Sequence, residues 1–371
     1  MSSRMGRALS IQLFGESHGA AVGVVLDGIP AGLSLDEKAM ESFLQRRAAK
    51  GSAIATGRRE SDIPKIISGL HRGVTTGQPL TAIFENADTH SADYDFLPDK
   101  PRPGHADYPA LVKSRGLDDL RGSGHHSGRL TLPYVFAGGV AKQLLAKAGV
   151  EILAHTLEIG GIQGRELDAM QPDMEQVRLA HDREVPALDA AVSEMMKQAI
   201  LEAKDKGDSL GGLVECAASG VSAGLGAPFF EGVEAVAAAH FFSIPGVKGV
   251  DFGVGFGAAK MTGSQYNDAY ELQKGKVVTK TNSAGGLLGG ITTGMPIVAR
   301  VAFRPTASVC LAQKTVSLSR GTEELLQVTG RHDPCIVVRA VPVVESALAL
   351  ALCELWLQQR GDAPLEAFHD C

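Results

Sequence analysis

The chain has 371 residues, 36 Lys and Arg against 42 Asp and Glu, and a formal net charge of −6, a balance that argues against a dedicated nucleic-acid binder with its basic excess. With 44% hydrophobic and 21% charged residues it is not a disordered chain, and its length can bury a core without disulfide or metal staples. Membrane residence is not expected either, because the longest plainly apolar run near the C-terminus, 347–353, is far short of the roughly 18–20 residues a bilayer requires.

Taken in order, the N-terminus lacks the apolar h-region of a signal peptide. A strand is expected over 21–26. Ser34-Leu35-Asp36-Glu37 reads as a capping box, followed by Ala39, Met40, Phe43 and Leu44 at helical spacing. Strands follow at 80–84 and 150–156, flanking a helix over 135–148 that Gly149 closes. The polar stretch 164–186 reads as an exposed connection or insertion. Leu188, Ala191, Val192, Met195, Met196, Ala199 and Ile200 form the apolar stripe of a helix over about 187–204. Further strands are expected at 213–219, 297–303 and 336–341, then a buried helix over 343–360. The irregular spacing favours an α/β mixture with antiparallel character over a doubly wound sheet. No linker or repeat divides the chain, so one domain over 1–371 is expected. Five cysteines without CxxC spacing read as reduced thiols of a cytoplasmic protein.

Glycine is the unusual residue, 44 of 371, about 12% against a typical ~7%. Much of it sits in short segments with His, Ser and Arg: Gly15-Glu16-Ser17-His18-Gly19, Arg102-Pro103-Gly104-His105-Ala106-Asp107, Arg121 through Gly122-Ser123-Gly124-His125-His126-Ser127-Gly128 to Arg129, Asn282-Ser283-Ala284-Gly285-Gly286 leading to Gly289-Gly290, Arg304-Pro305-Thr306-Ala307-Ser308, and Arg331-His332-Asp333-Pro334. Double arginines stand at Arg46-Arg47 and Arg58-Arg59. Glycine admits backbone N–H groups to anion oxygens while hydroxyl and guanidinium groups complete the shell. Any one cluster is equally a tight turn or a solvated face; six together point to a small polyanion.

His18 and His105 each lie near a carboxylate, Glu16 and Asp107. Imidazole suits proton transfer near neutrality, although a lone histidine is as readily structural. A metal is not expected, since adjacent His125-His126 point different ways and no ligand spacing accompanies them. No GxxxxGK[ST] occurs, and Gly253-Val254-Gly255-Phe256-Gly257-Ala258 lacks a following crossover helix for a dinucleotide site.

Together and in this order, Gly15-Glu16-Ser17-His18-Gly19, Arg102-Pro103-Gly104-His105-Ala106-Asp107-Tyr108, the Arg121–Thr131 run, the Asn282 run, Arg304 to Ser308 and Gly330 to Cys335 resemble the chorismate synthases over nearly the whole chain. The resemblance implies a single-domain β-α-β sandwich, antiparallel sheets around central helices, assembled as a homotetramer. It implies 1,4-anti elimination of phosphate from 5-enolpyruvylshikimate 3-phosphate, dependent on reduced FMN, with NADPH as reductant and an external flavin reductase. His18 and His105 match the two catalytic histidines, acids for the reduced flavin and the departing phosphate, and Asp333 an aspartate that assists proton removal. His125, His126, Ser127, Gly289, Arg304, Pro305, Thr306, Ala307, Ser308 and Arg331 match flavin contacts. Arg46 and Arg47 match a substrate-side or nicotinamide-nucleotide-side cationic position. Two departures stand out: His125-His126 replace an Arg-Ser pair common in the family, and Ala48 and Ala53 stand where further arginines are usual. The competing classes are a flavin- or nicotinamide-dependent oxidoreductase acting on a small polyanion and a non-catalytic anion-binding scaffold.

Overall fold

The protein is described by a computed structural model covering residues 3–48, 51–57, 60–89, 91–330 and 332–360. The first sheet contains β1 (Arg4–Met5), β2 (Ser10–Gly15), β3 (Ala21–Asp27), β4 (Lys65–Ser68) and β5 (Leu80–Glu85), in the order β1-β2-β3-β5-β4. The second contains β6 (Glu151–Ile159), β7 (Ile162–Gln163), β8 (Gly212–Ser219), β9 (Val247–Phe252) and β10 (Ile297–Phe303), in the order β9-β10-β8-β6-β7. All pairings within both sheets are antiparallel. Between the sheets lie α1 (Glu37–Arg47), α3 (Thr131–Lys147), α6 (Val233–Phe242) and α7 (Val337–Arg360). The sandwich with central helices and antiparallel sheets is the architecture expected.

The helix α7 explains the layering. Its Val344, Ala347, Leu348, Ala349, Leu350 and Ala351 are all fully buried, so the helix is apolar around its circumference and must be enclosed on every side. It packs against α3 and α6 and against β6 and β8 of the second sheet, while α3 meets the first sheet. By length and composition alone this helix would pass for a membrane span, yet its most apolar stretch is wholly buried inside the protein. Close packing of α3 on α7 depends on Gly138, whose added Cβ would lie 2.4 Å from the Ser346 Cα.

Three expectations are corrected. Residues 336–341 are not a strand: Val337 onward is the first turn of α7, because burial between layers outweighs the β-preference of a valine-rich run, and Pro342 near the start removes only one helical bond. The cap of α1 is Asp36, whose side chain accepts from the Ala39 N–H, not Ser34. The stretch 164–186 is not merely an exposed connection. It contains α4 (Met174–Ala180), and Leu167, Met174, Val177 and Ala180 cover the outer face of the second sheet at Leu153, Ala217 and Val298.

His240 on α6 is 2% exposed and accepts a hydrogen bond at Nδ1 from the Tyr134 hydroxyl (2.9 Å), and burial pushes its pKa down to about 4.

Two tests follow from this core. On an exposed helix Gly→Ala stabilises by ~1 kcal/mol; Gly138→Ala will instead destabilise by about 1–3 kcal/mol, as overpacking does, measured by urea unfolding. The folded state disfavours charged His240, so its contribution is present above pH 6.5 and lost as pH falls toward 4. The loss, about 3 kcal/mol for a shift of this size, will be smaller in His240→Gln when both proteins are melted across that range.

Candidate active site

Five of the six glycine-rich clusters, far apart in sequence, converge on one cavity of about 700 Å³; the 282–290 cluster does not line it. The 16–20 turn between β2 and β3 brings His18; the segment entering α2 (Asp107–Ser114) brings Arg102 and His105; the end of α1 brings Arg47; the loop leaving β10 brings Arg304, Thr306, Ala307 and Ser308; the segment entering α7 brings His332, Asp333 and Arg339. A second cavity of about 520 Å³ adjoins it, sharing His105, His126, Thr131, Ile244 and Arg304.

Arg102 is the hub. It is 3% exposed, and Nε and Nη2 donate to the two carboxylate oxygens of Asp107 (both 2.7 Å), itself 2% exposed. The same guanidinium donates to Ser308 Oγ (3.1 Å) and Ser123 Oγ (3.0 Å), tying three loops to one cation. Ser123 holds a left-handed φ of 73°, an uncommon conformation for a side-chain-bearing residue. Asp107 also accepts a hydrogen bond from His105 Nδ1 (2.6 Å), leaving Nε2 to exchange a proton. Burial works to raise the Asp107 pKa, but hydrogen bonds from Arg102 and His105 hold it far below the ordinary carboxylate range. Burial, opposed by Asp107 and aided by the Arg102 charge, lowers the pKa of His105.

His18 is held edge-on to Tyr94, ring centroids 5.4 Å apart, and packs on the backbone of Gly122. A Cβ at Gly122, whose φ is +57°, would lie 2.3 Å from the imidazole. Opposite, Asp62 bridges Arg129 and Arg47, the second at 3.5 Å. Arg47 also donates to Thr131 Oγ1 and the Gly128 carbonyl (both 3.0 Å). Asp333 is fixed at both oxygens, Oδ1 accepting from the Thr56 N–H (2.8 Å) and Oδ2 from Arg339 (2.6 Å).

The cationic groups on this wall share one electrostatic condition. Burial, with the Arg339 charge next, lowers Arg47 to about 9. Burial also lowers Arg304, His105 and His332. Each is less basic than normal first because it is buried where water is scarce, and an anion placed among them opposes the effect. Thr306 Oγ1 and His332 Nε2 are buried here without a hydrogen-bond partner among the described residues, so the wall presents unused polar atoms to a ligand.

Of the residues picked out from sequence, His18, His105, Asp333, Arg47, His126, Ser127, Arg304, Thr306, Ala307 and Ser308 line the larger cavity. His125 lines only the smaller one, and its ring is engaged: Nδ1–H faces the Gly15 carbonyl (2.8 Å) and Nε2 accepts from Ser3 Oγ (2.7 Å). Pro305 and Gly289 line neither, and Gly289 sits in an exposed hairpin turn. Arg46 is turned into the interior, paired with buried Glu345 at 2.5 Å and with His181. Although burial opposes its charge, Arg46 and Lys142 hold Glu345 down at about 2. Arg331, Arg58 and Arg59 lie outside the described residues. Arg102, Asp107, Arg129, Asp62 and Arg339 were not singled out from sequence as site residues. The first three stood inside the quoted clusters, whereas Arg339 was hidden in a segment read as a strand.

Residues 9–357 match the chorismate synthase family. The chain belongs to that family. It is 48% identical over 356 residues to the chorismate synthase of Pyrococcus abyssi, covering 96% of this chain and 98% of that one. It is 47% identical to that of Thermococcus kodakarensis, with the same coverage. A crystal structure of chorismate synthase superposes with a TM-score of 0.78 at 29% identity, covering 98% of this chain and 95% of the other. Chorismate synthase is a carbon–oxygen lyase, and in this chain five of the six glycine-rich segments meet at the larger cavity, the 282–290 segment lying away from it.

The Arg102–Asp107 pair gives a stability test. Removing one partner of a buried pair costs about 3–5 kcal/mol, so Asp107→Ala will lower the unfolding free energy by that order in denaturant titration. Asp119→Ala, which unpairs the exposed Arg121, will cost much less.

Proposed function

We propose that this cavity takes 5-enolpyruvylshikimate 3-phosphate together with reduced FMN and catalyses 1,4-anti elimination: a C–H bond and the allylic C–O bond break, a C=C bond forms, and a proton and inorganic phosphate leave. The observation that carries this reading is the set of depressed cationic groups, Arg47, Arg304, His105 and His332, around one cavity. A phosphorylated carboxylate substrate and a flavin phosphate would favour the charged forms of these four groups.

The wall also suits a flavin. Ile244, Pro245, Phe303, Ile336 and Val343 give an apolar surface for a flat ring system, and the orphaned Thr306 Oγ1 and His332 Nε2 are partners for its polar edge. Ser127, His126, Arg304 and Ser308 are the further residues that would hold it. Bound there, reduced FMN would supply the electron density that an allylic elimination with no net redox change calls for.

The chain's own residues orient, neutralise and move protons. His105, held at Nδ1 by Asp107, exchanges its proton at Nε2. Its low pKa rises when an anion binds, so the acid form is created by the substrate. His18 provides the second acid, opposite the Arg47–Asp62–Arg129 cluster. Asp333, bound by Thr56 and Arg339, is the carboxyl group positioned to assist proton loss from the substrate. Arg47 is the substrate-side cation, and Arg46 is committed to Glu345. With Arg46 withdrawn and Ala48 and Ala53 in the segment that follows it, the reductant NADPH acts through an external flavin reductase. The chain works in the cytoplasm as a homotetramer. Supporting an assembly, Phe229, Phe230 and Phe256 are 89%, 92% and 85% exposed, a cost in water that a partner surface relieves.

The test is an anaerobic assay with photoreduced FMN and 5-enolpyruvylshikimate 3-phosphate. Chorismate and phosphate will form over many turnovers while the flavin stays reduced; stoichiometric flavin oxidation would show an oxidoreductase instead. His18→Ala and His105→Ala will each lower turnover by about 10²–10⁴, the range for a positioned acid, with circular dichroism unchanged.

A further inference from the structure

Asn86 is the first residue beyond the β3–β5 ladder, just after Glu85 pairs with Ala21. It holds the whole 16–20 turn. Its backbone N–H donates to the Ala20 carbonyl (3.1 Å). Its side-chain amide donates one proton to the Glu16 carbonyl (3.0 Å) and the other to the Gly19 carbonyl (2.9 Å). The remaining atom, Oδ1, accepts from Arg129 Nε (3.0 Å). A guanidinium only donates, so Arg129 fixes which way the amide faces. The reverse orientation would set Oδ1 against two carbonyls and NH₂ against a cation.

We propose that Asn86 is the positioning residue for His18, transmitting the fixed location of Arg129, itself locked to Asp62, to the backbone on either side of the imidazole. This rests on the reading of His18 as a catalytic acid. Contacts at the ring itself, Tyr94 and Gly122, limit its rotation but do not set where the turn stands. The turn's other backbone bonds are Gly19 N–H to Glu16 and Ser17 N–H to Gly124 (both 3.1 Å). The first is internal to the turn, and the second meets a loop that changes direction through left-handed Gly122, Ser123 and Gly124. Beyond the chain's own continuation into β2 and β3, Asn86 is, among the described residues, a link from the turn to both β5 and the arginine cluster. Two donors and one acceptor on a short planar group are the property of asparagine: aspartate keeps the acceptor and loses both donors, and serine keeps one donor.

The test uses the full chain with reduced FMN under anaerobic conditions. Asn86→Ala will lower kcat roughly 10–100-fold, the scale of an ångström-level misplacement, and will change KM by less than about threefold, since substrate-binding cations are retained. Asn86→Asp will not rescue activity, although it still accepts from Arg129. If it does, the residue serves Arg129 and the proposal fails. In a His18→Ala background the further loss from Asn86→Ala will shrink to less than about twofold, because both act through one group. An undiminished loss would mark Asn86 as generally structural and overturn the proposal. Crystal structures of Asn86→Ala and Asn86→Ser provide a readout apart from activity: the 16–20 turn will be displaced while Arg129 remains on Asp62. Either variant with an unmoved turn refutes the role, and the pair covers the case in which one does not fold. Should His18→Ala keep full activity, the catalytic reading of His18 falls, and the turn's displacement alone decides whether Asn86 positions it.

Discussion

Enclosing one helix governs this molecule. α7 has apolar side chains on every face, and neither a single sheet nor a single helix can cover all of them. The second sheet with α1, α3 and α6 completes the enclosure, and α3 in turn rests on the first sheet. The polar groups carried into that interior are matched. Glu345 meets Arg46 and Lys142, and Glu354 accepts from the backbone N–H groups of Arg7, Ala8 and Leu9. A buried charge is tolerable only with such partners, so α7 also fixes where the end of α1 and the start of β2 lie.

The site inherits its rigidity from this frame. Its reactive side chains sit on loops, but each loop leaves a strand or helix anchored in the core: His18 between β2 and β3, Arg47 at the end of α1, the 304–308 loop after β10, and Asp333 just before α7. Arg102 then ties the loops to one another through Asp107, Ser123 and Ser308. The result is a set of arginines and histidines facing a poorly hydrated space, several of them already paired with Asp62, Asp107 and Asp333, in a protein of net charge −6. Global charge sets solubility; the local arrangement of arginines sets binding.

The two arginines at the end of α1 illustrate how adjacent residues of one type diverge. Arg47 faces the cavity and Asp62, whereas Arg46 turns about one helical step away and enters the core toward Glu345. His125 and His126 divide similarly, the first bonded at both ring nitrogens to the N-terminal segment and the β2 end, the second lining both cavities.

The sequence by itself determined the family, the mixed antiparallel class, most strands and helices, and the histidines and aspartate of the cavity. Those features are local: period-two and period-3.6 apolar patterns mark elements that bury one face, and glycine beside His, Ser and Arg marks backbone that must turn where polar groups gather. Only the tertiary structure decided that residues 336–341 begin a helix, that 164–186 covers a sheet, that Arg46 leaves the site, and that Arg339 and Asn86 belong to its support. Each depends on what the rest of the chain places opposite: an apolar layer around Val337, an uncovered sheet face above Val177, a buried carboxylate facing Arg46, and two carbonyls of a distant turn facing the amide of Asn86. A side chain's partner across the core is not encoded in its own neighbours, so no local pattern reports it.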